Sequence, residues 1–249
     1  MSRHNAKAEC SLRIACLALA LGHAAHLATM RTTSKLVCAA FSCVSLAAPA
    51  AAQTSAGVVP GVEVLLTDSL HLIQGRRVGL LTNHSGRDRK GTSTIDLLFK
   101  APGVKLVALY AAEHGIRGTE KAGAKIGQTT DSATGLPVYS LYGKQDMSVP
   151  EMLKGIDVLV YDIQDVGARV YTFEWTMANT AAVAKMPIII LDRPDPIRAD
   201  RYEGNILDTK FSSLVGQFPV ALRYGLTPGE LLRFLAGTSS STRTFTSYR

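Results

Sequence analysis

The chain has 249 residues, of which 47% are hydrophobic and 19% charged, and its formal net charge at neutral pH is +7. Its basic residues are scattered among acids without a Lys/Arg stripe or interleaved aromatic residues, so nucleic-acid binding is not expected. All four cysteines fall within the first 43 residues. The rest of the chain therefore has no disulfide, thiolate nucleophile or cysteine-bound metal, and a large hydrophobic core must stabilise it.

The first 52 residues have the composition of an upstream extension followed by a secretory signal peptide. A basic stretch at 30–35 precedes an apolar run at 36–46 and small residues at 47–52, which match the n-region, h-region and cleavage site. The apolar run is too short to span a membrane. We expect Met30 to be the true start, cleavage near Ala52, and a periplasmic or secreted protein without a stable membrane span. A lipid anchor on Cys43 is the alternative.

Removal of this leader would also change the charge. The leader carries five basic residues and one acidic residue, a net charge of +4, which leaves +3 on the mature chain.

The first half of the mature chain alternates helical and extended patterns. The predicted elements are a helix at 60–73, a buried strand at 77–83, a short helix capped by Ser93 or Thr94, and a strand at 105–110. The long polar connection at 115–135 is typical of a functional loop.

The second half continues the alternation. The predicted strands are one at 136–142 near a sheet edge, a central one at 156–163 and one at 187–191. The predicted helices are one at 148–155, one at 171–186, and one opened by a capping box at 227–230 and ending at Ala236. In the helix at 171–186, the residues expected to face inward are Phe173, Met177, Ala181 and Ala184. Strands with nearly continuous apolar runs predict an α/β fold, a Rossmann-like parallel sheet with helices on both faces, over residues 57–237. Residues 238–249 lack periodicity and are expected to be a disordered or truncated tail.

Acidic residues follow three of these strands. Glu113 comes after the strand at 105–110, the segment 162–169 (Asp-Ile-Gln-Asp-Val-Gly-Ala-Arg) follows the central strand, and Asp192-Arg193-Pro194-Asp195 follows the next. Ligands of open α/β sheets bind at the carboxyl ends of the strands. The sequence therefore predicts a polar, hydroxyl-rich ligand and acid–base chemistry at this edge.

Each of these groups also has a purely structural interpretation. Glu113 lies beside apolar residues and is suited to general acid catalysis, with His114 orienting it, or it is an exposed loop acid beside a packing histidine. Asp162, Asp165 and Arg169 line a ligand site, or they form a structural ion pair. The 192–196 turn presents acids to the ligand, or it is a stiff loop with capping aspartates.

Other chemistries find little support. The oxygen ligands that a hard cation needs are not clustered, and there is no Asp-x-Asp or His-x-x-x-His pattern, so no metal is expected. Dinucleotide, nucleotide-triphosphate and serine-hydrolase motifs are absent, so no cofactor is expected either.

Several motifs occur together in order and strongly resemble the exo-β-N-acetylmuramidase family of peptidoglycan-recycling glycosidases, long known as a domain of unknown function. They are the segments 80–83, 113–118, 134–143, 162–169 and 191–194. The resemblance runs from about residue 57 to about residue 237. It implies a Rossmann-like N-terminal domain followed by a smaller C-terminal α/β domain, which would be missing after Gly237.

The resemblance also implies an activity and a site. The family removes terminal β-1,4-linked N-acetylmuramic acid from peptidoglycan fragments, which would be this chain's partners. Glu113 would be the catalytic acid, and Asp165 or Asp192 the base or nucleophile. The implied sugar-binding residues are Asn83, His114, Arg117, Tyr142, Asp162, Gln164, Arg169, Arg193 and Glu203.

The chain departs from the family pattern at a few positions. Ala112 stands for a proline, Asp195 for an asparagine and Tyr224 for a histidine. Together with the shorter length, these departures leave a second hypothesis open, a non-catalytic module that binds muropeptides or sugars.

Overall fold

The computed structural model describes residues 57–118, 129–142, 149–238 and 246–248. The predicted extension and signal peptide at 1–52 lie outside the described residues. The elements of the described part are, in chain order, α1 (Gly61–Thr67), β1 (Arg77–Thr82), α2 (Thr94–Lys100), β2 (Lys105–Ala111), β3 (Thr129–Thr130), β4 (Pro137–Ser140), α3 (Val149–Met152), β5 (Val158–Asp162), α4 (Phe173–Val183), β6 (Ile188–Leu191), α5 (Pro228–Thr238) and β7 (Thr246–Tyr248), with short 3-10 turns at Leu70–Leu72 and Thr209–Phe211.

The strands form one sheet in the order β3-β4-β2-β1-β5-β6-β7. All neighbours are parallel except β3 and β4, which run antiparallel at the edge. The chain moves from β1 outward through β2 to β4 and then returns to the other side of β1 with β5, so the strand order reverses between β1 and β5. Thr82 pairs with both Ala111 and Asp162, which brings the carboxyl ends of β1, β2 and β5 level. A crevice at such a reversal is where α/β sheets bind ligands.

Helices cover both faces of the sheet. Alternate strand residues such as Val78 and Val160 share one apolar core with α1 and α2, while Leu81 and Tyr161 share another with α3, α4 and α5. Successive strand side chains point to opposite faces, so continuous apolar strands such as β5 are buried on both sides. The predicted Rossmann-like parallel sheet with helices on both faces is confirmed.

The predicted helix at 60–73 is divided. It ends at Thr67, and a 3-10 turn at Leu70–Leu72 follows. The Thr67 hydroxyl donates to the Glu63 carbonyl at 2.9 Å, and Asp68 and Ser69 follow directly. Such short polar side chains compete with helical hydrogen bonds, which explains the break.

The C-terminal region contains one confirmed prediction. The capping box is present, since Thr227 N–H donates to Glu230 Oε2 at 3.0 Å and Glu230 N–H donates to Thr227 Oγ1 at 3.3 Å. Of the expected tail at 238–249, the structure describes only Thr238, where α5 ends, and β7, which pairs in parallel with β6. The edge of β6 offers unpaired backbone groups that favour such pairing. The remaining tail residues lie outside the described ranges. None of the helices in the described ranges has the length and apolar character needed to cross a membrane.

Candidate active site

Glu113 lies just beyond the carboxyl end of β2 and is half-buried. Its Oε2 accepts a hydrogen bond from the Thr172 hydroxyl at 2.8 Å. Burial raises the pKa of Tyr142, and a hydrogen bond between its hydroxyl and the Glu113 carboxylate raises it further. Glu113 is therefore held by two hydroxyl groups from other parts of the chain.

The backbone turns sharply after Glu113. His114 has a φ of +70° and Gly115 a φ of +73°, and Gly115 N–H donates to the Ala112 carbonyl at 3.2 Å. Positive φ is uncommon for a residue with a side chain and is enriched at ligand sites. The turn lies at the predicted catalytic acid, while the role of His114 as its orienter stays a prediction.

Asp162 is the last residue of β5 and is fully buried. Its Oδ1 accepts from Arg193 Nε at 2.6 Å, and its Oδ2 accepts from Arg193 Nη2 at 3.2 Å and from the Thr94 hydroxyl at 2.5 Å. Burial raises the pKa of Asp162, although Arg193 and Thr94 pull it down. Arg193 also donates to the Arg87 carbonyl at 2.9 Å. The two predicted sugar-binding residues thus form a buried ion pair whose carboxylate oxygens are both occupied.

Asn83 and Gln164 connect the ends of three strands. Asn83 Oδ1 accepts from Ser85 N–H at 2.8 Å and from the Ser85 hydroxyl at 2.6 Å. Ser85 Oγ accepts from Gln164 N–H at 2.9 Å, and the Gln164 amide donates to the Pro194 carbonyl at 2.9 Å. The ends of β1, β5 and β6 are fixed to one another by these bonds.

Asp165 and Asp192 are buried, being 3% and 7% exposed. Asp165 Oδ2 accepts from Gly167 N–H at 2.7 Å and from the Tyr224 hydroxyl. Asp192 accepts from Gly229 N–H at 2.9 Å and from the Thr227 hydroxyl at 2.7 Å, so it anchors the start of α5. Both carboxylates are more buried than that of Glu113, and their role as base or nucleophile stays a prediction.

Sequence reasoning missed an acid beside these two. Glu174, in the first turn of α4, is 1% exposed and accepts from the Tyr161 hydroxyl at 3.1 Å. Burial raises its pKa well above the usual carboxyl range, and the charges of Asp165 and Asp192 raise it further. Burial likewise raises the pKa of Asp165. The one available signal was a glutamate between two aromatic residues, Phe173 and Trp175.

Three predicted sugar-binding residues bond to partners of their own. Arg117 pairs with Asp131 at 2.9 Å. Arg169 donates to the carbonyls of Asn205 at 2.9 Å and Val220 at 2.7 Å rather than to an acid. Glu203, with 57% of its side chain exposed, pairs with Arg223 at 2.8 Å. These contacts hold loops, and sugar binding by the three residues stays a prediction.

The fold and this edge define a Rossmann-like α/β protein whose acids gather at a strand-order reversal. In the described part of the chain no cluster of three or more His, Cys, Asp or Glu side chains could hold a metal ion. Residues 78–246 match the family described as exo-beta-N-acetylmuramidase NamZ, N-terminal. The chain belongs to this family.

Individual relatives agree with the family assignment. The chain is 45% identical over 177 residues to the peptidoglycan beta-N-acetylmuramidase NamZ of Bacillus subtilis (strain 168), a match that covers 70% of this chain and 43% of the relative. Two crystal structures of DUF1343 family proteins from Bacteroides fragilis NCTC 9343 are similar to it. One has a TM-score of 0.67 and 45% identity, covering 76% of this chain and 48% of the other. The second has a TM-score of 0.59 and 32% identity, covering 72% and 46%. The chain spans less than half the length of each of these relatives.

Proposed function

We propose that this chain is the catalytic-acid portion of a peptidoglycan glycosidase that acts outside the cytoplasm. Its substrate would be a peptidoglycan fragment ending in β-1,4-linked N-acetylmuramic acid, which it would release from the non-reducing end. Membership of the family and the name of the Bacillus subtilis relative support this class of reaction. The predicted signal peptide agrees with it, because peptidoglycan lies outside the inner membrane.

One observation carries the assignment of the acid. Glu113 is half-buried at the carboxyl edge of the sheet, and its carboxyl group is bonded to the hydroxyls of Thr172 and Tyr142. Asp162, Asp165 and Asp192 lie at the same edge but are buried among protein groups. Glu113 is therefore the acid at this edge best placed to reach a sugar.

The chemistry follows that of glycosidases with paired carboxyl groups. Glu113 would give its proton to the bridging oxygen as the bond between that oxygen and C1 of the muramic acid breaks. In an inverting reaction, water would add its hydroxyl to C1 and give its proton to a second carboxylate. In a retaining reaction, that carboxylate would first bond to C1, and water would then release it while Glu113 takes the proton of the water. Asp165 or Asp192 would supply that carboxylate after a rearrangement that uncovers it.

The test is hydrolysis of a chromogenic N-acetylmuramide by the purified chain, run beside calorimetric titration with a muropeptide. Glu113→Gln should lower kcat by roughly 10²–10⁴-fold, as expected for loss of a general acid, while muropeptide binding is retained. Glu151→Gln is the matched control, because Glu151 is an exposed glutamate on α3.

Two outcomes would contradict the proposal. A Glu113→Gln variant that keeps its turnover would remove Glu113 from the mechanism. Muropeptide binding without any product, in a folded wild-type chain, would favour the non-catalytic binding module.

A further inference from the structure

A pair of buried carboxyl groups lies behind the candidate active site. Glu174 on α4 and Asp165 in the loop after β5 each have one oxygen, Oε2 and Oδ1 respectively, that is buried and has no hydrogen-bond partner among the described residues. Their other oxygens accept from Tyr161 and Tyr224. Buried polar atoms are nearly always bonded, so two unpartnered oxygens on neighbouring acids require an explanation.

The groups that act most strongly on the pair are acidic or neutral rather than cationic. The groups that act on Glu174 are Tyr161 from β5, Asp165 from the following loop, Asp192 from the loop after β6, and, across the cluster, Tyr224 from the segment before α5. Asp195, in the same loop as Asp192, acts on Asp165. All of these groups are acidic or neutral. Burial raises the pKa of both carboxyl groups, and the charge of Asp165 raises that of Glu174 further. Two buried acids that repel each other in this way are expected to hold at least one proton between them.

The position of Glu174 connects this proton to the candidate acid. Thr172, directly before α4, donates its hydroxyl to Glu113 instead of capping the helix. Glu174 lies in the first turn of the same helix, and its carboxyl group bonds to β5 through Tyr161. Any displacement of this first turn would move the Thr172 hydroxyl away from Glu113.

We propose that Glu174 is a positioning residue: a neutral carboxyl group that shares a proton with Asp165, fixes the first turn of α4, and thereby holds Thr172 against Glu113. When the pair loses its shared proton, two buried negative charges repel each other and the first turn of α4 shifts. The part that concerns Glu113 rests on the proposed function; the shared proton does not.

Trp175 provides a measurement that needs no activity. It is the only tryptophan of the chain, it follows Glu174 directly, and its indole N–H donates to the Arg169 carbonyl at 2.9 Å. The fluorescence of the wild-type protein should therefore titrate at a pH above the usual carboxyl range. Glu174→Gln, which cannot ionise, should abolish this titration, and Glu151→Gln should leave it in place. Asp165→Asn should move it to lower pH, because the charge of Asp165 raises the pKa of Glu174.

The free energy of unfolding should depend on whether the shared proton is bound. The folded state holds a proton that the unfolded chain releases near the ordinary glutamate pKa of 4.5. Between that value and the raised folded pKa, the unfolding equilibrium constant should rise by up to about tenfold per pH unit. This rise should be smaller in Glu174→Gln, as measured by urea unfolding across the pH range.

Activity provides the last measurement. In an active wild-type protein, kcat should fall on the alkaline side as the pair ionises, and Glu174→Gln should move that edge to higher pH. Fluorescence and stability profiles identical in Glu174→Gln and wild type would overturn the proposal, as would an unchanged alkaline edge of kcat. An inactive wild-type protein whose fluorescence titration depends on Glu174 would contradict the proposed function and still support the shared proton.

Discussion

Asp162 and Asp165 belong to the same strand end, yet their surroundings differ in charge. Asp162 has both oxygens bonded, with the guanidinium of Arg193 beside it. Asp165 is similarly buried but has one oxygen without a partner, and its neighbours are another acid and a tyrosine. One region of the crevice is a compensated ion pair, and the other is an uncompensated acid cluster.

The ion pair and the acid cluster should therefore respond differently to a change in pH. A buried ion pair needs both partners at any pH, because removing either one leaves an uncompensated charge. An acid cluster without a cation adjusts by binding protons, so its properties depend on pH. We therefore expect substitutions around Asp162 to act on folding at any pH, and those around Asp165 to act in a pH-dependent way.

The largest expected effect is that of Asp162→Asn. This substitution keeps the shape of the side chain but leaves the Arg193 guanidinium, 11% exposed, without its counter-charge. The free energy of unfolding should fall by about 3–5 kcal/mol, as measured by urea denaturation.

A double substitution provides the control for this prediction. Arg193→Met combined with Asp162→Asn should recover part of the loss, because no uncompensated charge is then buried. Strictly additive effects would show that the pair is not coupled and that the comparison with Asp165 is mistaken.

A smaller effect is expected for Tyr224→Phe. Asp165 would lose its hydroxyl donor and keep only backbone N–H donors, at a cost of about 1–3 kcal/mol in unfolding free energy. The pKa of Asp165, already raised by burial, would rise further because the Tyr224 hydrogen bond lowers it. A raised folded pKa means that stability is lost as the pH increases, so the cost should be greater in alkaline than in acidic buffer. Equal costs in urea unfolding at both pH values would argue against a proton-binding cluster.

The smallest effect is expected at the opposite end of the sheet. Asp157 and Arg77 form an exposed ion pair, with 40% and 55% of their side chains accessible. Bonding to Arg77 lowers the pKa of Asp157 to about 2, so any stabilisation is present above the ordinary aspartate pKa and is lost as the pH falls toward 2. Asp157→Asn should change thermal stability at neutral pH less than either variant above, because exposed pairs are screened by solvent. A loss as large as that of Asp162→Asn would break the contrast between buried and exposed pairs.

Much of the fold could be predicted because its signals are local. Continuous apolar runs marked β1, β5 and β6, and the capping box at Thr227 marked the start of α5. The tail strand β7 could not be predicted, because its pairing depends on an edge of β6 supplied by distant residues. The break after Thr67 arises from side-chain bonds that compete with a weak helical pattern.

The candidate site was predictable in part for the same reason. The rule that ligands bind at the carboxyl ends of strands indicated the edge where Glu113, Asp162, Asp165 and Asp192 lie. Their partners were not predictable, since Glu113 and Thr172 are 59 residues apart, as are Asp165 and Tyr224. The burial of Glu174 likewise depends on α4 being covered by later segments, and periodicity within the helix does not report it.

The bond from the Thr172 hydroxyl to Glu113 affects the start of α4. A threonine at this position usually satisfies the free amides of the helix start, but here the hydroxyl is occupied by Glu113, and the backbone of Thr172 is itself helical, with φ −95° and ψ −8°. The helix thus begins without the side-chain cap that threonine usually provides. Variants that lose the Glu113 carboxylate would release this hydroxyl, but it could bond to the free amides only if the Thr172 backbone left its helical conformation.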